Sequence, residues 1–228
     1  MIQHDTEPIE KLLMQGQPEK EMTKDSFLFQ EGEHADSLFY ILSGKVRIGK
    51  ITPDGREITF RICGKNDVIS EVQLFCAQSA YRVQAKVIEN GHYIKIAKRE
   101  LEEKLLTNPG LTIGILQMMG EQQQKTQSKF RDLILHGKKG ALYSTLIRMT
   151  NSYGNEREDG VLIDLHVTNQ ELANFCGMSR EVVNRLLNTL KHEGIIKMEN
   201  GKMVICDLQY LKNEIHCENC PIEICRID

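Results

Sequence analysis

Near Lys98 the apolar pattern of this 228-residue chain changes period, and that change limits the fold more than any single motif. Before it, from about Ser26, apolar residues come in short β-rich runs at 26–30, 38–42, 46–51, 58–63, 81–88 and 92–96. Gly32, Gly44, Gly55 and Gly64 punctuate them. Several short strands with regular turns argue for a barrel or jelly roll, and Asp54-Gly55 is a hairpin signal. After Lys98 the spacing is helical. Residues 1–20, with Pro8 near their start, read as a short leading helix.

Asn108-Pro109 opens a long helix, since proline is tolerated at the first helical position. Leu111, Ile115, Met118 and Met119 give it one apolar face, the stretch 121–128 is polar on every side, and Phe130, Leu133 and Ile134 resume the stripe. A helix of roughly 25 residues with so polar a centre does not sit inside a single-chain core. It is expected to lie along a partner helix, as in a two-stranded coiled coil. His136-Gly137-Lys138-Lys139-Gly140 then reads as a hinge, and 151–160 as a turn-rich insert.

The stretch 168–191 has the layout of a helix-turn-helix. Thr168 and Glu171 form a capping box, Ala173 is small where two helices cross, and Gly177 supplies the turn. Ser179 is expected to cap the second helix, with Val183, Leu186, Leu187 and Leu190 facing inward. Arg180, Glu181 and Arg185 are left on the outer face near the N-terminus, where a recognition helix reads base edges in the major groove. Asn200-Gly201 between two short apolar runs reads as a wing turn. Bulk charge does not draw this segment to phosphate. Within 168–196 the cations Arg180, Arg185 and Lys191 are matched by Glu171, Glu181 and Glu193, and the net charge of the chain is −3. Phosphate contact is therefore expected from locally placed lysines: Lys138, Lys139 and Lys202.

Three of the seven cysteines, Cys217, Cys220 and Cys225, crowd into the last dozen residues with C-x2-C-x4-C spacing. Thiolates are soft ligands, and on spacing alone zinc and an iron–sulfur cluster are equally served. For zinc, the fourth ligand would be His216 or Cys206. Cys63, Cys76, Cys176 and Cys206 read as small core hydrophobes. The start of the chain is polar and acidic, and no apolar run approaches membrane-spanning length. The expectation is a cytoplasmic protein with thiols reduced or metal-bound. No nucleophile–base pair, phosphate loop or cofactor fingerprint argues for an enzyme.

A glycine-punctuated β-roll, a long interface helix and a winged helix-turn-helix, in that order, resemble the catabolite activator/FNR family of bacterial transcription regulators. The resemblance implies an α+β chain in four parts: a leading helix and β-roll at 1–107, a dimerisation helix at 108–136, a winged helix-turn-helix at 137–213 and a cysteine-rich tail at 214–228. Arg180, Glu181 and Arg185 look like the catabolite-activator reading motif. That implies a homodimer on palindromic double-stranded DNA with TGTGA-type half-sites, acting with RNA polymerase. Cyclic-nucleotide binders of the family carry Gly-Glu and Arg-Ser/Thr, whereas this chain reads Ser70-Glu71 and Gln78-Ser79-Ala80-Tyr81, so cyclic nucleotide is not expected. The tail resembles the Gram-positive FNR branch. There the resemblance implies an oxygen-sensitive 4Fe-4S cluster held by Cys217, Cys220 and Cys225 and by an aspartate matching Asp132. The alternative is an effector-binding regulator of the same fold with structural zinc in the tail.

Overall fold

The computed structural model describes residues 16–77 and 79–227, which form two compact units divided between Gly120 and Glu121. The expected leading helix lies largely outside the described residues, and its end is corrected. Glu19–Met22 is a strand, β1, because it pairs antiparallel with a later strand and buries Met22. Ladder pairing and burial override local propensity there.

The first unit is an antiparallel sheet of β1, β2 (Phe27–Phe29), β3 (Ser37–Ile51), β4 (Glu57–Cys63), β5 (Val68–Ile69) and β6 (Gln84–Ala97). Its order is β1-β6-β3-β4, with β2 on β6 and β5 on β3. The runs at 38–42 and 46–51 are one strand, and most of 81–96 is another. Of the four punctuating glycines, Gly44 is instead a crossing within a continuous strand, opposite Gly91 of the next. A Cβ on Gly44 would lie 2.6 Å from the Asn90 carbonyl oxygen, and one on Gly91 would lie 2.1 Å from that of Ser43. Glycine permits this approach, so the β3–β6 ladder shifts register between Ile41 and Val46 and then continues. Inside, Leu38, Ile41, Ile48, Ile69 and Ile96 are fully buried. Tyr81 stacks on Phe29 with ring centroids 3.8 Å apart and donates its hydroxyl to the Ser37 carbonyl at 2.7 Å.

The helical spacing after Lys98 begins with a separate helix, α1 (Lys98–Thr107), which ends before Asn108-Pro109 and buries Leu101 and Leu105 in this core. Helix α2 (Pro109–Tyr153) follows, with Asn108 Oδ1 accepting from the Leu111 N–H at 3.0 Å. Its backbone leaves the helical region only at Gly137 (φ 57°, ψ −150°), so the expected hinge is one residue wide and Gly140 is already helical. The first apolar stripe is also corrected. Leu111 and Ile115 are buried in the chain's own sheet core, with Met118 packed against it. A different set is exposed: Ile113, Leu116 and Met119, then Phe130, Leu133, Ile134 and Leu135.

The second unit packs the 138–153 limb of α2 through Leu142, Tyr143, Leu146 and Ile147. The expected turn-rich insert is a hairpin, β7 (Gly154–Arg157) and β8 (Gly160–Ile163). Then come α3 (Asn169–Cys176), α4 (Arg180–His192), β9 (Ile196–Glu199), β10 (Lys202–Ile205) and α5 (Leu208–Glu214). The sheet runs β7-β8-β10-β9, so the wing strands have two companions. Asn200 (φ 49°) and Gly201 (φ 77°) are both left-handed, as a type I′ hairpin turn requires. No described helix is long and apolar enough to cross a membrane.

Gly91→Ala is expected to destabilise the protein by about 1–3 kcal/mol through a backbone clash. Gly64→Ala, whose Cβ meets nothing within 4 Å, is expected to stay within about 0.5 kcal/mol. Urea denaturation midpoints compare the two.

Candidate functional site

The helix-turn-helix is built as its residues dictate. The Thr168 hydroxyl accepts from the Glu171 N–H at 3.2 Å, and the Glu171 carboxylate accepts from the Thr168 N–H at 2.7 Å. Gly177 takes the left-handed conformation that ends α3 (φ 59°). Val183, Leu187 and Leu190 are buried beneath α4, and Leu186 is half-buried. Arg180, Glu181 and Arg185 are exposed on the opposite face. Glu181 and Arg185 line an open groove with Asn184, Asn188, Thr189 and His192.

Ser179 departs from expectation. It holds the N-cap position, but its side chain caps no backbone N–H. Its hydroxyl instead bonds the Glu181 carboxylate. Together with Glu181's own backbone N–H, the stronger influence, it holds that carboxyl below the usual range. Asn184 was missed by sequence reasoning: its amide oxygen accepts from Asn169, tying α3 to α4 on the reading face. Its place four residues after Arg180 on the polar face was the available signal. Of the lysines expected to meet phosphate, Lys139 donates to Glu214 at 2.6 Å and Lys202 to Asp164 at 2.5 Å, while Lys138 is exposed.

The cysteine tail is held against α2 by a buried polar node. Asp132, 4% exposed, accepts at Oδ2 from the Ser144 hydroxyl (2.5 Å) and from Arg148 Nη2 (2.9 Å). Its Oδ1 accepts from Arg131 Nε (3.1 Å) and Nη2 (2.9 Å). Burial opposes ionisation, but the Ser144, Arg131 and Arg148 hydrogen bonds prevail and hold the carboxyl below its ordinary value. Arg148, 2% exposed, also donates to Ser128 Oγ at 2.8 Å and, through Nη1, to the Ile224 carbonyl at 3.1 Å. Asn151 donates to the Cys225 carbonyl at 2.6 Å, and the Ile227 N–H donates to Ser152 Oγ at 3.0 Å. Buried Ile227 completes the dock. Ser144, Arg148 and Asn151 were missed. The signal was an arginine among Leu142, Leu146, Ile147 and Met149, where a helix face is otherwise apolar.

Within the tail, a turn from Pro221 brings Cys225 back, its N–H donating to the Pro221 carbonyl at 2.9 Å. The three thiols are half-buried. Burial, the leading cause, pushes the Cys225 thiol up. Arg148 pulls it down, and Cys217, Cys220 and Asp132 push it further up, so the other three candidate ligands all act on Cys225. Among the described residues, no three His, Cys, Asp or Glu side chains stand in a metal-holding arrangement. His216 is exposed, its ring 6.0 Å from that of His136. Of the cysteines expected in cores, Cys63 and Cys176 are buried, and burial pushes the Cys176 thiol to about 12. Cys76 and Cys206 are exposed because they lie in connections between elements, past the alternation that turns strand residues inward.

In the sheet unit, Glu71 is paired with Arg61, whose Nη2 lies 2.9 Å from its carboxylate; Arg61 itself is 8% exposed. Gln78 lies outside the described residues.

Comparison with known proteins agrees with this architecture. Residues 140–214 match the Crp-like helix-turn-helix domain, and 19–108 match the cyclic nucleotide-binding domain. The chain is 50% identical over 210 residues to the anaerobic regulatory protein of Bacillus subtilis, covering 92% of this chain and 88% of the relative. It is 28% identical to a CRP-like cAMP-activated global transcriptional regulator of Mycobacterium tuberculosis, over 81% of this chain and 82% of that one. Among solved structures, the CooA mutant from Carboxydothermus hydrogenoformans superposes with a TM-score of 0.75 at 20% identity, over 87% of this chain and 88% of the other. The regulator CLP of Xanthomonas campestris gives 0.75 at 22% identity, over 87% and 98%. At such identities the structural likeness establishes the fold.

Removing one partner of a buried ion pair strands the other, whereas replacing both with apolar residues does not. Arg148→Ala is therefore expected to destabilise the metal-free protein by about 3–5 kcal/mol. The paired change Asp132→Leu with Arg148→Met is expected to cost less than Arg148→Ala alone, as read by urea denaturation.

Proposed function

From the premise that this chain belongs to the Crp/FNR family of DNA-binding transcription regulators, proteins that are not enzymes, we propose that it is an oxygen-responsive member of that family. In this reading it acts in the cytoplasm as a homodimer and binds a palindromic operator with TGTGA-type half-sites. It does so when a 4Fe-4S cluster is held by Cys217, Cys220, Cys225 and Asp132, and it acts with RNA polymerase.

The observation that carries the reading is that Arg148 bonds both the Asp132 carboxylate and the Ile224 carbonyl of the tail, with Asn151 on the Cys225 carbonyl and Arg131 4.0 Å from Cys220 Sγ, so the three half-buried thiols are docked beside that carboxylate's node. The donor set fits such a group. Thiolates are the ligands an iron–sulfur cluster prefers, the tail supplies three of the four it needs, and Arg131 and Arg148 are near enough to act on Cys220 and Cys225. A carboxylate is a harder donor than a thiolate, which leaves one corner of the ligand set weaker than the others. When bound, the cluster supplies a bond set that oxygen breaks. The chain's own residues do the rest. Arg148 braces the tail carbonyl of Ile224 and the α2 carboxylate with one guanidinium. The tail and the limb that feeds α3 and α4 thus share one anchor.

The name of the Bacillus subtilis relative, an anaerobic regulatory protein, supports the oxygen reading. The exposed Phe130, Leu133 and Ile134 support pairing of two copies along α2, because a solvated helix seldom carries such a row. The Arg61–Glu71 pair supports the exclusion of cyclic nucleotide, since the one acid matching the nucleotide-binding pattern already has a cationic partner.

Operator binding is compared between wild type, Asp132→Ala and Cys220→Ala after anaerobic reconstitution with iron and sulfide. Both variants are expected to lose most of their affinity, and equal affinity in all three would end the proposal. Cys220 is the cleaner lesion, because Asp132 also neutralises Arg148. On the DNA side, Arg185→Ala is expected to cost about 1–3 kcal/mol of operator binding and to relax base preference at one position of each half-site. Competition with single-base operator variants measures it.

A further inference from the structure

The two oxygens of Asp132 are not equivalent. Oδ2 is held by Ser144 and by Arg148, groups exposed by no more than 5% and 2%. Among the described residues, Oδ1 is held by Arg131 alone. That same guanidinium extends to the cysteine tail: Nη2 lies 4.0 Å from Cys220 Sγ, and Nη1 pairs with the Glu218 carboxylate. One cation therefore spans a carboxylate and a thiol that are both candidate ligands. A guanidinium suits the task, because its planar fork serves several acceptors at once.

We propose that Arg131 is a built-in cationic placeholder. In the metal-free protein it compensates the Asp132 carboxylate while reaching Cys220 Sγ, and it must surrender Oδ1 before that oxygen can serve a metal. The inference rests on the reading that the tail and Asp132 hold a cluster, and it adds a residue that competes with it. Mobility separates the two arginines at the node. The Arg131 side chain is 31% exposed and its second anchor, Glu218, is 62% exposed, so Arg131 can swing outward while still paired. The Arg148 side chain is 3% exposed and is also bound to Ser128, Ser144 and the Ile224 carbonyl, so it stays. Arg131 is thus a positioning residue: it sets how readily Asp132 becomes a ligand and how readily it is recaptured when that bond opens.

The test uses full-length protein reconstituted under nitrogen with ferrous iron and sulfide, then titrated with a ferrous chelator while visible absorption reports the iron retained. Arg131→Gln is expected to retain iron to about tenfold higher chelator concentration than wild type, the size of one competing charge-assisted hydrogen bond removed. Arg131→Lys, a single point charge, is expected to fall between. A purely structural role moves the result the other way, because a loosened tail releases iron sooner. Equal or lower chelator tolerance in Arg131→Gln overturns the proposal. A metal-free readout accompanies it. The urea midpoint of apo Arg131→Gln is expected to drop, and an unchanged midpoint would deny that Arg131 holds anything together. Failure of the wild-type protein to take up iron is a distinct result: it sinks the cluster reading itself, and the placeholder with it.

Discussion

A guanidinium buried to 2% exposure is expensive unless every side of it is answered, and Arg148 is answered on every side. Asp132 supplies the countercharge, Ser128 and Ser144 the neutral acceptors, and the Ile224 carbonyl the last contact. These partners come from both limbs of α2 and from the tail. The limbs meet only because Gly137 breaks the helix, and the tail returns only because Ile227 has a place in the core. The position of the cysteines is therefore set by that buried charge together with the Asn151, Ser152 and Ile227 contacts of the tail.

The same economy runs through α2. One stripe, Leu111 and Ile115, belongs to the sheet core, and a different stripe is left outside. A helix that serves its own core with one face and solvent or another copy with the other must be apolar on two sides. That explains why its sequence pattern lacks a single clear stripe.

Much of the reading helix was legible because its determinants are local. Thr168 and Glu171 cap each other three residues apart, Gly177 supplies its own turn, and the spacing of Val183, Leu187 and Leu190 fixes which face is left for Arg180, Glu181 and Arg185. The strands were legible as elements but not in extent. Gly44 looks like an end in sequence, and only the opposite strand, with Gly91, shows it to be a place where two backbones cross. Ser179 carries the same lesson at smaller scale, since a serine before a helix has two partners within reach and here takes Glu181.

By itself, the sequence determined the order of parts, the helix-turn-helix and its exposed triad, the wing turn, and the clustering of three thiols at one end, because each follows from residues within a few positions of one another. Tertiary structure alone decided that Asp132 is spoken for at both oxygens, that Arg131 reaches Cys220, and that Arg148 and Asn151 hold the tail by its carbonyls. Those contacts join residues as far apart as 89 positions, and no local period encodes which buried charge a returning chain will meet.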